Sequence, residues 1–170
     1  MRCTEIMSIV IPKFDRSVVV RGVDAEVLGG APAKITLLAD SSATGGALST
    51  VRVTLGKGAD GARPHRHDRS AEMFYVLDGA VQVLSGTDVV RAEAGDVIVV
   101  PPGLPHAFSA GRGDHADLLI VITPGVERFE YFRQLVRIAR GEEPPENVRD
   151  VQELYDTWFL NSPEWEAARR

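Results

Sequence analysis

Three of the four histidines in this 170-residue chain fall in two short segments, Pro64-His65-Arg66-His67-Asp68-Arg69-Ser70-Ala71-Glu72 and Pro101-Pro102-Gly103-Leu104-Pro105-His106. Imidazole nitrogens and one carboxylate oxygen, converging on a point, make a site for a divalent metal such as iron, manganese, nickel, copper or zinc. In an extended strand alternate side chains share a face, so His65 and His67 can reach one ion together. Glu72 stands at odd separation from His67, and a continuous strand would turn it away. The polar Asp68-Arg69-Ser70 break lets the chain bend and restart, which returns Glu72 to the inner face.

The elements that must position these groups read as short strands. Residues 17–28, with Val18-Val19-Val20 and Val27-Leu28, predict a strand pair broken at Gly22, and Lys34 to Leu38 predict a further strand ending at Asp40. Ser41 to Gly46 is a small-residue loop. Ala47 to Leu55 alternates, with Val51, Val53 and Leu55 inward and Arg52 and Thr54 outward. Met73–Leu77 and Ala80–Leu84 flank Asp78-Gly79, a dipeptide suited to a type I′ hairpin turn, and the register places Glu72, Phe74 and Val76 on one face. Turns at Ser85-Gly86, Ala94-Gly95 and Pro102-Gly103 separate strands at Val89–Ala92, Val97–Val100 and His106–Ser109, and Leu118–Thr123 closes the series. This punctuation argues for a sandwich or barrel, with the double-sheet jelly roll the natural choice.

The tail changes period. Thr123-Pro124 offers an N-cap and a proline at the first helical position, and Phe129, Phe132, Leu135, Val136 and Ala139 recur at helical spacing until Gly141. Arg133, Arg137 and Arg140 take the other face. After Glu142-Glu143-Pro144-Pro145, Val148, Val151, Leu154, Tyr155, Trp158 and Phe159 predict a second amphipathic helix capped by Asn147, and Ser162-Pro163 begins a last short one. Apolar helical stripes of this kind are expected to pack on the barrel or on a neighbouring subunit. A sharper reading makes Phe129 and Phe132 a lid over the barrel mouth.

Composition bounds the alternatives. The length suits one domain, large enough to bury roughly two thirds of the surface its unfolded chain would expose. A net charge of −5, with no basic block, argues against nucleic acid and anionic membrane surfaces as partners. Cys3 is the single cysteine, which precludes an intrachain disulfide and leans toward the cytoplasm. The first residues make a poor signal peptide, Met7 is an alternative start, and no apolar run approaches the roughly 18 residues of a membrane span.

The two histidine segments carry a family resemblance. His65-x-His67, four residues, Glu72, six residues and Gly79 resembles the first cupin motif; Gly95, five residues, Pro101-Pro102-Gly103, two residues and His106 resembles the second. The chain departs from the pattern at Ala59, where a glycine is expected, and at Ala110, where an asparagine is usual; neither is a ligand position in the family. The resemblance, to small single-domain cupins of the quercetin-dioxygenase-like type, implies an all-β fold. That fold is a double-stranded β-helix, or jelly-roll, barrel over residues 1–125 with a C-terminal α-helical extension over 126–170. It also implies one divalent transition metal held by His65, His67, Glu72 and His106, and a homodimer.

Such a ligand set leaves one or two coordination positions open, the mark of a catalytic rather than a structural site. Glu72 is suited to two tasks, ligand and catalytic base for a substrate hydroxyl. Strand alternation puts Val51, Val53, Leu55, Phe74, Val76 and Phe108 on the cavity wall, which favours an apolar or aromatic small molecule that chelates the metal through oxygen. Arg63, Arg66 and Arg69 alternate with the ligands or lie in the turn and should face solvent or a subunit contact, which argues against a phosphosugar. The leading expectation is a dioxygenase-like oxidoreductase acting on an enolisable compound. The alternatives are a non-redox isomerase, cyclase or lyase, for example on a polyketide-like substrate, and a small-molecule binding or sensing module.

Overall fold

The computed structural model describes residues 13–170; the choice between Met1 and Met7 as start lies outside them. Among the described residues ten strands form a curled, half-barrel sheet. They are β1 (Val27–Gly30), β2 (Ala33–Ala39), β3 (Ser49–Leu55), β4 (His65–Arg66), β5 (Ala71–Ser85), β6 (Asp88–Glu93), β7 (Val97–Val100), β8 (His106–Ala110), β9 (Ala116–Thr123) and β10 (Trp158–Phe159). The hydrogen-bonded order is β1-β2-β3-β9-β5-β8-β4-β10, with β6 and β7 also paired to β5. Among the described residues β1 and β10 end the path without meeting, so the jelly roll curls but does not close. The inward residues expected from alternation, Val51, Val53 and Leu55 on β3 and Phe74 and Val76 on β5, are buried in one apolar core with Leu118 and Ile120 of β9.

Several expectations are corrected. Residues 17–26 form no strand, and Val18, Val19, Val20 and Val23 are exposed. Among the described residues the sheet ends at β1 and the valine run has no ladder partner, and β-propensity without a surface to cover does not make a strand. Asp78-Gly79 is not a hairpin turn. β5 runs through it as one long strand, bulged between Val76 and Asp78, pairing with β7 and β9 before the glycine and with β6 and β8 after it. Gly79, at φ +73°, supplies the bend that carries β5 from one part of the sheet to the other.

Helix α1 (Phe129–Ala139) begins later than Thr123-Pro124 suggests. Thr123 stays in β9, where its hydroxyl donates to the Ala47 carbonyl at 3.0 Å. The orphan amides at the helix start belong to Arg128 and Phe129, and both donate to the Asp40 carboxylate, at 2.8 and 2.9 Å. The helix stops as expected beside Gly141, at φ +74°. The second amphipathic helix is absent. Only α2 (Asn147–Asp150) is helical, and Asn147 is its first residue rather than its cap. Asp156 sits at φ +49°, which no α-helix admits, and Trp158 and Phe159 are taken into β10 against β4. The last helix, α3 (Pro163–Ala168), forms as expected, with the Ser162 hydroxyl accepting from the Trp165 amide at 3.2 Å. Among the described residues no helix is long and apolar enough to cross a membrane.

Candidate metal centre

β4 and β8 pair antiparallel with His65 directly opposite His106, which sets two imidazoles side by side with ring centroids 4.2 Å apart. His67 follows two residues after His65 on the same buried face. β5 then delivers Glu72. The intervening Asp68-Arg69-Ser70 bend is folded by one distant side chain, the Asp156 carboxylate. It accepts from the amides of Asp68, Arg69 and Ser70 at 2.9, 3.0 and 3.2 Å. The second motif is tied to the first where the Gly103 amide, in a turn at φ +81°, donates to the His67 carbonyl at 2.6 Å.

The four side chains are buried, and one donor atom from each lies within 4.8 Å of all the others. Glu72 Oε2 is 2.7 Å from His106 Nε2, 3.3 Å from His67 Nε2 and 4.0 Å from His65 Nε2. The opposite ring nitrogens all meet carbonyl oxygens. Nδ1–H of His65 donates to Arg63 O at 2.7 Å, that of His106 to Leu104 O at 2.9 Å, and that of His67 to Asp156 O. Since a carbonyl can only accept, each Nδ1 must carry a hydrogen, and each Nε2 is aimed inward with its lone pair available to a metal. Metal–nitrogen and metal–oxygen bonds of about 2.0–2.2 Å put neighbouring ligand atoms roughly 3–4 Å apart; the 3.3 and 4.0 Å separations fall in that range and the 2.7 Å one just short of it. The chain therefore presents a three-histidine, one-glutamate cluster of the kind that takes a single divalent transition metal.

The electrostatics agree with that use. Burial, with His106 and His67 close by, holds the His65 imidazole well below its ordinary 6.5, so the ring stays neutral and able to ligate. For Glu72 burial pushes the carboxyl up, but the hydrogen bonds and charges of His106 and His67 outweigh it, and the group lies well below its ordinary 4.5. The Nε2···Oε2 contacts of His106 and His67 are at hydrogen-bond distance, and a divalent cation at the centre would take the place of the proton shared there.

His65 and Glu72 form part of the wall of a cavity of about 910 Å³. Of the expected wall residues, Val51, Val53, Leu55 and Phe108 line it. Phe74 and Val76 do not: both are fully buried, and the Phe74 ring sits behind the surface, 5.3 Å from that of Phe108 and 6.4 Å from that of His106. Alternation gave the face correctly but not the depth along it. Arg69 is exposed and Arg66 lies half-buried beside Trp158, as expected of charges that alternate with ligands, while Arg63 stands at the cavity rim. The tail adds much of the remaining wall, including Arg128, Phe129, Tyr131 and Phe132.

Three functional candidates escape the sequence reading: Asp156, Arg128 and Tyr131. Arg128 left a visible signal, because it continues the apolar stripe of α1 from the residue just before the helix, three and four residues before Tyr131 and Phe132, where a charge is out of place. Asp156 left a weaker one, as a lone acid within the apolar run from Tyr155 to Phe159.

Residues 51–122 match the cupin domain family. Solved structures agree on the fold. A Streptomyces nucleoside dehydratase shares 17% identity at a TM-score of 0.52 over 64% of this chain and 83% of its own. The polyketide cyclase RemF of Streptomyces resistomycificus shares 20% at 0.53 over 64% and 80%. An RmlC-like cupin of Shewanella frigidimarina shares 23% at 0.56 over 68% and 96%. No curated protein matches the chain in sequence.

Proposed function

We propose that the chain is a metal-dependent enzyme of non-redox type, a lyase, isomerase or cyclase acting on an oxygen-bearing, largely apolar small molecule. The observation that carries this reading is the set of three Nδ1-anchored histidines whose Nε2 atoms converge with Glu72 at the wall of a cavity large enough for a drug-sized ligand. A divalent metal held by His65, His67, Glu72 and His106 would supply Lewis acidity to a substrate oxygen. The named activities among the similar folds, dehydration of a nucleoside and cyclisation of a polyketide, incline the reading toward chemistry without dioxygen.

The chain's own residues supply the rest. Glu72 faces the cavity and, kept ionised by its histidine neighbours, can accept a proton from a substrate carbon or hydroxyl next to the polarised oxygen. Tyr131, also on the cavity wall, has its hydroxyl pushed up to about 12 by burial, so at neutral pH it remains protonated and serves as a donor to a substrate oxygen. Val53, Leu55 and Phe108 keep water from the reacting face.

Elemental analysis of protein purified without chelator tests the metal, with about one equivalent expected and loss of it in His106→Ala. Turnover by zinc-loaded protein under argon tests the reaction class. Oxygen uptake that tracks product formation, and disappears with zinc, would replace this reading with the dioxygenase-like one, for which Glu72 is equally placed as the base.

A further inference from the structure

Arg128 presents an imbalance that the fold does not resolve. Its residue is 5% exposed, and among the described residues neither Nε nor Nη1 of its guanidinium has a hydrogen-bond partner. A buried, unpaired charge costs several kcal/mol, and native chains rarely leave one without a reason. The shortage is not of acids on the helix. Arg133 is paired with Glu26 at 2.7 Å, and Arg137 with Glu130 at 2.9 Å. Of the three carboxylates on the cavity wall, Glu72 is engaged by His106 and His67 and Asp60 by Arg169 at 2.9 Å, and Glu166 makes no ion pair with Arg128.

The group is also held in place. Its backbone amide is bound by Asp40, and the guanidinium carbon lies 5.1 Å from the Tyr131 ring centre and 5.5 Å from that of Phe132. Stacking on aromatic faces fixes a planar fork of donors at little further entropic cost.

We propose that Arg128 is an anion-binding subsite of the cavity and that the ligand it receives carries a carboxylate on a largely apolar body. A single guanidinium fits a planar monoanion, whereas a phosphate dianion calls for more donors than the site offers, since Asp40 already takes the amides at the start of α1. Val53, Leu55, Phe108, Ile120, Phe132 and Leu135 accommodate the apolar body. The metal-enzyme reading adds only the orientation: with its acid group on Arg128, the ligand turns its other end toward His65 and Glu72 across the same cavity.

The probe is benzoate with its neutral isostere benzamide, titrated by calorimetry into zinc-loaded and into metal-stripped full-length protein. Benzoate should bind at least about tenfold tighter than benzamide in both forms, as expected of hydrogen bonds to a charged group. Arg128→Met should bring benzoate to the level of benzamide, leave benzamide unchanged and melt no lower than the parent, because it removes an unpaired charge. Arg128→Lys, which keeps the charge without the fork, should retain part of the preference. Equal binding of the two probes by the parent protein, or no saturable benzoate binding at millimolar concentration, overturns the subsite. So does a preference that needs zinc and survives Arg128→Met, which would put the carboxylate on the metal. A preference that persists in protein unable to take up metal would refute the metal-enzyme reading and leave the subsite standing.

Discussion

Asp156 shows how much of a metal centre depends on a side chain that touches no metal. Its carboxylate gathers the three amides of the Asp68-Arg69-Ser70 bend, and its carbonyl takes the Nδ1 hydrogen of His67. The bend is what reverses the parity between His67 and Glu72. Asp156→Ala should therefore cost about 3 kcal/mol, since it leaves several amides short of partners. It should also weaken metal affinity by about tenfold to a hundredfold through the misdirected His67. Chelator competition and a thermal melt read the two effects, and Asp156→Asn, which keeps one acceptor and tolerates the positive φ, should lose less of both. Parental metal affinity in Asp156→Ala would show that His67 is held by packing alone. The ligands themselves were legible because their spacing is local, whereas Asp156 and Arg128 act through contacts that cross 86 to 89 residues of sequence, and leave only the local mark of a charge set among apolar residues. Acid should act on the same cluster. His65 and Glu72 are both held below their ordinary 6.5 and 4.5, so the unfolded chain binds more protons than the folded one as pH falls through these values. Metal-stripped protein should lose stability on acidification below about 6.5 as His65 is called on to protonate, and further below about 4.5 as Glu72 is. Melting temperatures that stay level from neutral pH to that point would contradict the direction assigned to His65.

At the scale of elements, the strand pattern was readable wherever a glycine or proline marked a true turn, as at Gly86, Gly95 and Gly103, all with positive φ. It misled at Gly79, because the same residue and the same φ +73° serve a bend inside a continuous strand as well as a hairpin. What distinguishes the two is the neighbour: a Cβ at Gly79 would stand 2.0 Å from the carbonyl oxygen of His115, so β5 bends where another backbone segment presses against it. Gly79→Ala combines that clash with a left-handed backbone and should cost at least about 3 kcal/mol, visible as a lower denaturant midpoint. An unchanged midpoint would mean that the segment around His115 yields freely. The tail misled for a related reason. Val148 to Phe159 has a helical period, yet β4 exposes a strand edge beside His65, and pairing that edge with Trp158 and Phe159 outweighs a local preference worth only tenths of a kcal/mol per residue.

For the molecule as a whole, the boundary expected after residue 125 would separate parts that the site uses together. The sheet supplies His65, His67, Glu72 and His106; the residues beyond 125 supply the carbonyl that orients His67, the strand that pairs with His65, and Arg128, Tyr131 and Phe132 on the cavity wall. Phe129 and Phe132 also pack against the main apolar core, so their removal would expose core surface as well as open the cavity. A cupin domain with a detachable lid predicts that a chain cut after Gly125 keeps its metal and loses only ligand affinity. We expect a different outcome: the shortened chain should melt markedly lower and retain less than a full equivalent of metal, because the half-barrel has lost both a pairing strand and the anchor of His67. Supplying residues 126–170 as a separate peptide should restore part of the metal binding if the two pieces complement each other through these contacts. A shortened chain that melts like the parent and holds its metal would instead establish the tail as an accessory to the cavity and make the half-barrel self-sufficient.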